Sequence, residues 1–225
     1  MQGFHAVVTG DLVRSSTLDD DQLERVRERL RRATEELAGA GLSAGEPFVG
    51  SIEFFRGDAW QLLLSEPRLA LRTTLYLRCA LLVQGLGDTR ASIGIGRVDR
   101  VTESRISLST GEAFELSGRA LDGMGPRFRL SLALSPDLSP DDPWPPVVAH
   151  LCDSVVSQWE GRQIETALIA LRHPDATHRR IGGMLAPPVT QQAVSKSLQS
   201  AGWHGLSEAL DAFEQLMPPS QSAGA

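Results

Sequence analysis

The sequence predicts an α/β domain over residues 1–134, followed by an all-α helix-turn-helix domain over residues 147–217. In the first part, short apolar runs typical of strands alternate with segments of helical periodicity, whereas every later apolar pattern is helical. Between them, residues 135–146 are rich in proline and acid, so they are predicted to form a linker. Residues 218–225 are small and polar and are predicted to be disordered.

The first two elements are a buried strand and an amphipathic helix. Phe4 to Thr9 is a short apolar run with a β-branched pair, and Gly10-Asp11 ends it. Thr17 is the predicted N-cap of the helix, and Gly39 suits its end. The apolar stripe of this helix recurs at three- and four-residue steps: Leu23, Val26, Leu30, Ala33 and Leu37.

A hairpin and four further elements complete the α/β part. Arg56-Gly57-Asp58 separates two strand-like runs, which predicts a hairpin. The remaining segments are listed in order: strands 49–55 and 59–64, a helix 67–83 opened by Pro67, a strand 91–98, a helix 112–124 and a strand 128–134. The first six elements follow the ferredoxin-like βαββαβ plan.

Composition narrows the class of protein. No apolar run reaches the roughly 18 residues that a bilayer requires, and the N-terminus lacks a cleavable apolar segment, so we expect a cytoplasmic protein without membrane contact. A formal net charge of −6 excludes a protein that coats nucleic acid, but not a local basic face. Cys79 and Cys152 are expected to be free, buried thiols.

Two aspartates are predicted to meet at one edge of the sheet. In the βαββαβ plan the first and third strands are antiparallel neighbours, so Asp11 after the first lies beside Asp58 before the third. Two close carboxylates repel each other unless a cation lies between them, and Mg²⁺ or Mn²⁺ prefers such oxygen ligands. The alternative is that each aspartate only serves its turn.

Three segments resemble the class III nucleotidyl cyclase catalytic domain. They are Thr9 to Ser16 (TGDLVRSS), Arg56 to Trp60 (RGDAW) and Gly111 to Leu121 (GEAFELSGRAL), and Arg90 to Gly96 resembles the strand before the third. The layout, with helices of helix-turn-helix type after such a domain, resembles the SatD-like family of bacterial proteins. The resemblance covers residues 4–134, and the order and spacing of the motifs support it more than any one motif does.

The resemblance implies roles for individual residues. Asp11 and Asp58 would be the metal ligands, Arg119 would contact a nucleotide phosphate, and Ser15 and Ser16 belong to the same nucleotide-binding segment. Glu115 departs from the family, which has an asparagine there; a carboxylate repels a triphosphate, so cyclase catalysis is not expected. The alternative for Arg119 is a surface ion pair with Glu115.

The C-terminal part contains a predicted helix-turn-helix. His178 to Ala186 forms one helix, Pro187-Pro188 breaks it, and Thr190 caps a second helix to Ala201, which packs through Ala193, Val194, Leu198 and Ala201. The run TQQAVSKSL resembles the recognition helix of bacterial regulators. The predicted DNA-contacting residues are Arg179, Arg180, Thr190, Gln191, Gln192, Ser195, Lys196 and Gln199. The alternative is a packing domain, since residues 151–217 carry five Lys or Arg against seven Asp or Glu.

Three functions remain open from the sequence. The first is a homodimeric DNA-binding regulator whose cyclase-like domain binds a nucleotide or another phosphate-bearing molecule with Mg²⁺ or Mn²⁺. The second is a metal-dependent nucleotidyl cyclase or phosphohydrolase that uses Asp11, Asp58 and Arg119. The third is an interaction module without either activity.

Overall fold

The computed structural model describes residues 3–103, 105–138 and 144–217, and these form a mixed α/β protein around a five-stranded sheet. The strands are Phe4–Leu12 (β1), Phe48–Phe55 (β2), Ala59–Leu64 (β3), Thr89–Arg97 (β4) and Leu130–Leu134 (β5). Their order is β2-β3-β1-β4-β5, antiparallel except for the parallel pair β4-β5. The predicted mixed α/β class is confirmed.

Helices cover both faces of the sheet and make up the C-terminal part. They are Asp20–Ala38 (α1), Ala70–Leu82 (α2), Glu112–Asp122 (α3), Trp144–Val156 (α4), Arg162–Arg172 (α5), His178–Met184 (α6), Gln191–Ser200 (α7) and Trp203–Leu216 (α8). Short 3-10 turns lie at Ser15–Thr17, Pro67–Leu69 and Ile106–Leu108. No helix in the three described ranges is both long and apolar enough to cross a membrane.

Successive side chains of β1 point to opposite faces of the sheet, and each face has its own apolar core. Ala6 and Val8 of β1 pack in the large core that contains α1 and α2, whereas Val7 packs in a smaller core with Ala113 of α3. The helix α3 approaches β4 very closely, because a Cβ added at Gly94 would overlap the backbone of Ala113. Glycine at this position of the strand therefore permits the close contact between α3 and β4.

Two helix starts differ from the prediction. Asp19, not Thr17, caps α1: its carboxylate accepts a hydrogen bond from Gln22 N, and the Gln22 side chain accepts one from Asp19 N, a reciprocal capping box. The helix α4 begins at Trp144, inside the predicted linker, because prolines are tolerated in a first turn whose N–H groups have no helical partner. Residues 139–143 of that linker, and the predicted tail 218–225, lie outside the described residues.

The helix α2 lies between the sheet and the C-terminal helices, and one apolar core runs through all three. The same helix carries two buried arginines that interrupt its apolar sequence. Arg72 forms ion pairs with Asp211 and Glu214 of α8. Arg78 donates to Asp88 at 2.8 and 3.0 Å and to Asp153 of α4 at 2.6 Å. The C-terminal helices are therefore attached to the α/β part by buried charges as well as by apolar packing.

The C-terminal helices pack around two tryptophans. Trp159 and Trp203 are buried with ring centroids 6.4 Å apart, and Trp159 Nε1 donates to Ala201 O at 2.7 Å. Cys79 and Cys152 are free and buried, which confirms the prediction. Burial raises the pKa of the Cys152 thiol to about 11, so the thiol is not ionised at neutral pH.

Candidate functional site

Strand pairing brings the two predicted acids to the same edge of the sheet. Asp11 at the end of β1 pairs with Ala59, which follows Asp58 at the start of β3. On its other side Asp11 pairs with Arg90 at the start of β4. The antiparallel order of these three strands thus places residues distant in sequence at one site, which we call the Asp11 site: Asp11, Ser15, Asp58 and Arg90.

Arg90 supplies the positive charge beside Asp11. Its guanidinium binds both carboxylate oxygens, with Nε donating to Oδ1 at 2.9 Å and Nη2 donating to Oδ2. These hydrogen bonds raise the pKa of Arg90; partial burial opposes the rise, and the charges of Asp11, Asp122 and Asp58 add to it. Three carboxylates therefore lie within electrostatic reach of this guanidinium. Arg90 was not among the site residues predicted from the sequence, although the β1–β4 register places it opposite Asp11.

Asp58 is held by the hairpin and by the turn after β1. Phe55 pairs with Ala59, so the hairpin loop has three residues, and two of them, Arg56 and Gly57, have positive φ of 52° and 86°. Arg27 of α1 donates to Gly57 O at 2.7 Å, which ties the turn to the helix layer. Ser15 donates its hydroxyl hydrogen bond to Asp58 Oδ2. Asp58 is thus oriented towards the segment after β1.

The donor types at the Asp11 site fit a hard divalent ion, but the present contacts compete with it. Two carboxylates and a serine hydroxyl are oxygen ligands of the kind that Mg²⁺ and Mn²⁺ prefer. Both oxygens of Asp11, whose side chain is 23% exposed, already accept hydrogen bonds from Arg90. Within the described ranges, no cluster of three or more His, Cys, Asp or Glu could hold a metal. An ion there would be held by Asp11 and Asp58 after displacing Arg90.

Arg119 lies on the surface of α3 and contacts Glu115. The two side chains are 76% and 65% exposed and form the i,i+4 ion pair that was the alternative to phosphate contact. Asp122, three residues further along α3, is one of the three aspartates whose charges raise the pKa of Arg90. Ser16 is exposed beside Ser15. The structure thus places Ser15 at the Asp11 site, and Arg119 in a solvated pair on α3.

The predicted DNA-contacting residues share an exposed surface on α6 and α7. Thr190 caps α7, because its hydroxyl accepts a hydrogen bond from Ala193 N at 3.2 Å. All eight predicted side chains are exposed: Arg179, Arg180, Thr190, Gln191, Gln192, Ser195, Lys196 and Gln199. We call this set the α6–α7 surface.

The two helices beneath this surface are held close together. Val194 and Leu198 of α7 are buried, whereas Ala193, which was predicted to pack, is exposed. A Cβ at Gly182 of α6 would come closer than 3.0 Å to Val189 O, and Val189 N donates to Gly182 O at 3.0 Å. The turn before α7 therefore packs directly on the backbone of α6.

Comparisons with solved structures find neighbours that include two nucleotidyl cyclases. No family model matches the chain, and no curated protein matches it significantly. The guanylyl cyclase Cya2 has a TM-score of 0.39 and 18% identity, over 58% of this chain and 75% of that one. A bacterial light-regulated adenylyl cyclase has a TM-score of 0.41 and 16% identity, over 57% of this chain and only 42% of that one. Both similarities cover little more than half of this chain.

Proposed function

We propose that this protein is a DNA-binding transcriptional regulator, in which α6 and α7 form the helix-turn-helix and the α/β part is a ligand-binding, non-catalytic domain of nucleotidyl cyclase type. The observation that carries the proposal is the charge distribution of the α6–α7 region. Residues 176–207 contain Arg179, Arg180 and Lys196 but no Asp or Glu. The acids of the C-terminal part lie elsewhere in its sequence, and three of them, Asp153, Asp211 and Glu214, are paired with α2.

Polar side chains on α7 complete this surface. Gln191, Gln192, Ser195 and Gln199 are exposed, and amides and hydroxyls can hydrogen-bond to base edges in the major groove. Three cations neutralise few phosphates, so one copy would bind weakly, and a dimer would double the number of contacts. The proposal therefore includes a homodimer on DNA.

If α6 and α7 bind DNA, removing their cationic side chains should lower the affinity for DNA. We expect the double variant Arg180→Ala, Lys196→Ala to bind duplex DNA at least about tenfold more weakly than the wild type. The slope of log K against log[salt] should fall in magnitude by about four, because each of the two copies in the dimer loses two cations. Fluorescence anisotropy over a range of salt concentrations measures both quantities. The matched control is Arg32→Ala on α1, which also removes an exposed arginine and should leave DNA affinity unchanged. Absence of binding to genomic fragments even at about 50 mM salt would rule out the DNA-binding function.

The α/β part has the strand order β4-β1-β3-β2 over its first four strands, with α1 and α2 as the crossovers, which supports a ferredoxin-like core of cyclase type. Asp11 and Asp58 are proposed to bind Mg²⁺ or Mn²⁺ together with a nucleotide or another phosphate-bearing molecule, near Ser15 and Ser16. The bound ion would neutralise phosphate charge. The pairing of Arg119 with Glu115 supports a domain without cyclase chemistry, because that arginine is already neutralised.

If Asp11 and Asp58 bind a metal ion, the ion must compete with Arg90 for the Asp11 carboxylate. In Arg90→Gln, the Asp11 oxygens lose their cationic partner, so Mn²⁺ should bind about tenfold more tightly than to the wild type. Adding Asp58→Asn to this variant should remove the gain, because one anionic ligand is lost. Titration calorimetry with MnCl₂ measures the three affinities. If Arg90→Gln binds Mn²⁺ no better than the wild type, the metal assignment at Asp11 and Asp58 is wrong.

A further inference from the structure

A cavity lies where the α/β part meets the C-terminal helices, away from the Asp11 site. It has a volume of about 380 Å³ and is formed by α1, α2, α5 and the end of α6. This size is within the range of small-molecule sites. The residues that line it include Arg29, Glu36, Tyr76, Ile169, Arg172 and Met184.

Glu36 accepts hydrogen bonds from two neighbours in this cavity. Arg29 donates to both oxygens of Glu36 at 3.1 and 3.2 Å, and the Tyr76 hydroxyl donates to Glu36 Oε2. Burial acts to raise the pKa of Glu36, but the hydrogen bonds from Tyr76 and Arg29 outweigh it and the pKa is lowered. Glu36 is therefore ionised at neutral pH and offsets the charge of Arg29.

Arg172 is the second cation of the cavity: its charge acts on Glu36, but that carboxylate forms its ion pair with Arg29. Its Nε is buried and lacks a hydrogen-bond partner among the described residues, and none of their carboxylates forms an ion pair with its guanidinium. Burial, together with the charges of Arg172 and Arg180, lowers the pKa of His173, which marks a positive local potential. A partly buried arginine whose hydrogen bonds are incomplete is costly, and an anion that pairs with its guanidinium would lower that cost.

We propose that this cavity binds a small organic anion. A carboxylate or phosphate of the ligand pairs with the Arg172 guanidinium, and its apolar part contacts Ile169 and Met184. The net charge supports this ligand class: two arginines and one ionised glutamate leave one positive charge, which a monoanion neutralises. An apolar wall with a single charged anchor is the usual composition of such sites.

Calorimetry with two probes tests the cavity. Phenyl phosphate and benzoate carry the required anion on an apolar ring, and benzyl alcohol is the neutral control. We expect at least one of the anions to bind with 1:1 stoichiometry and benzyl alcohol not to bind. Arg172→Gln should weaken anion binding at least about tenfold, the usual effect of losing a charged hydrogen bond. Arg162→Gln removes an exposed arginine at the other end of α5 and should bind like the wild type.

A second variant protects the test against misfolding. Met184 is exposed at the cavity rim, so Met184→Glu should fold normally and weaken anion binding by charge repulsion. The proposal is overturned if neither anion binds the wild type at millimolar concentration, or if Arg172→Gln binds as tightly as the wild type.

Regulation of DNA binding through this cavity rests on the proposed function. Met184 ends α6, so an anion in the cavity would contact the first helix of the proposed helix-turn-helix. Anisotropy measurements with and without phenyl phosphate test this link, and a shift in DNA affinity that Arg172→Gln abolishes would support it. Calorimetry tests anion binding to the cavity independently of DNA. A protein that binds the anion but no DNA would therefore refute only the DNA-binding function.

Discussion

The Arg78→Met variant is expected to unfold with a free energy about 3–5 kcal/mol below that of the wild type. The side chain of Arg78 is 6% exposed and that of Asp153 is 3% exposed. Burial acts to lower the pKa of Arg78, but hydrogen bonds to Asp88 and the charges of Asp88 and Asp153 raise it, so the arginine remains charged. Methionine preserves most of the volume but leaves Asp153 as a buried carboxylate without its cation.

Urea denaturation followed by tryptophan fluorescence measures this loss. Adding Asp153→Asn to Arg78→Met should recover part of the stability, because the amide removes the buried charge and its oxygen can still accept the hydrogen bond from Arg129 N. The control Arg119→Met removes an exposed ion pair and should change stability by no more than about 1 kcal/mol. An Arg78→Met protein as stable as this control would show that the buried network does not stabilise the fold.

The second large effect is expected at neighbouring glycines of α6. Gly182→Ala should destabilise the protein by about 3 kcal/mol, because the new methyl group meets the Val189 carbonyl, a backbone atom that cannot move without shifting the turn before α7. DNA binding should fall with it, since this turn positions α7. Thermal unfolding and anisotropy measure the two effects.

Gly183→Ala is the matched control for this substitution. A Cβ at Gly183 meets nothing within 4 Å, so alanine should stabilise α6 by about 0.5–1 kcal/mol through its higher helix propensity. Equal melting temperatures for the two variants would contradict the close packing of the Val189 turn on α6.

Much of the fold is predictable from local sequence patterns. The order of strands and helices follows from apolar periodicity and from glycine and proline positions, and the pairing of Asp11 with the residue after Asp58 follows from strand topology. Helix ends are less predictable, because Thr17 and Asp19 are both good caps, and the reciprocal bond with Gln22 decides between them.

Side-chain partners across elements were not predictable. Arg90 binds Asp11, Arg78 binds Asp153, and Arg172 forms no ion pair within the described ranges, and nothing in the sequence around each arginine indicates its partner. Which acid an arginine meets depends on how helices pack, and periodicity does not encode it. The cavity at Arg172 has the same origin, since it forms only where α1, α2, α5 and α6 come together.

The position of α2 limits how separable the two halves of the chain are. Twelve consecutive side chains, from Ala70 to Leu81, are buried because the sheet shields one side of this helix and the C-terminal helices shield another. A fragment ending near residue 138 would bare Leu and Tyr side chains, leave Arg72 without its two acids, and leave Arg78 with Asp88 alone. Such a fragment would be prone to aggregate. A recombinant that exchanges one half of this chain with that of a relative must therefore keep α2 together with the helices that cover it.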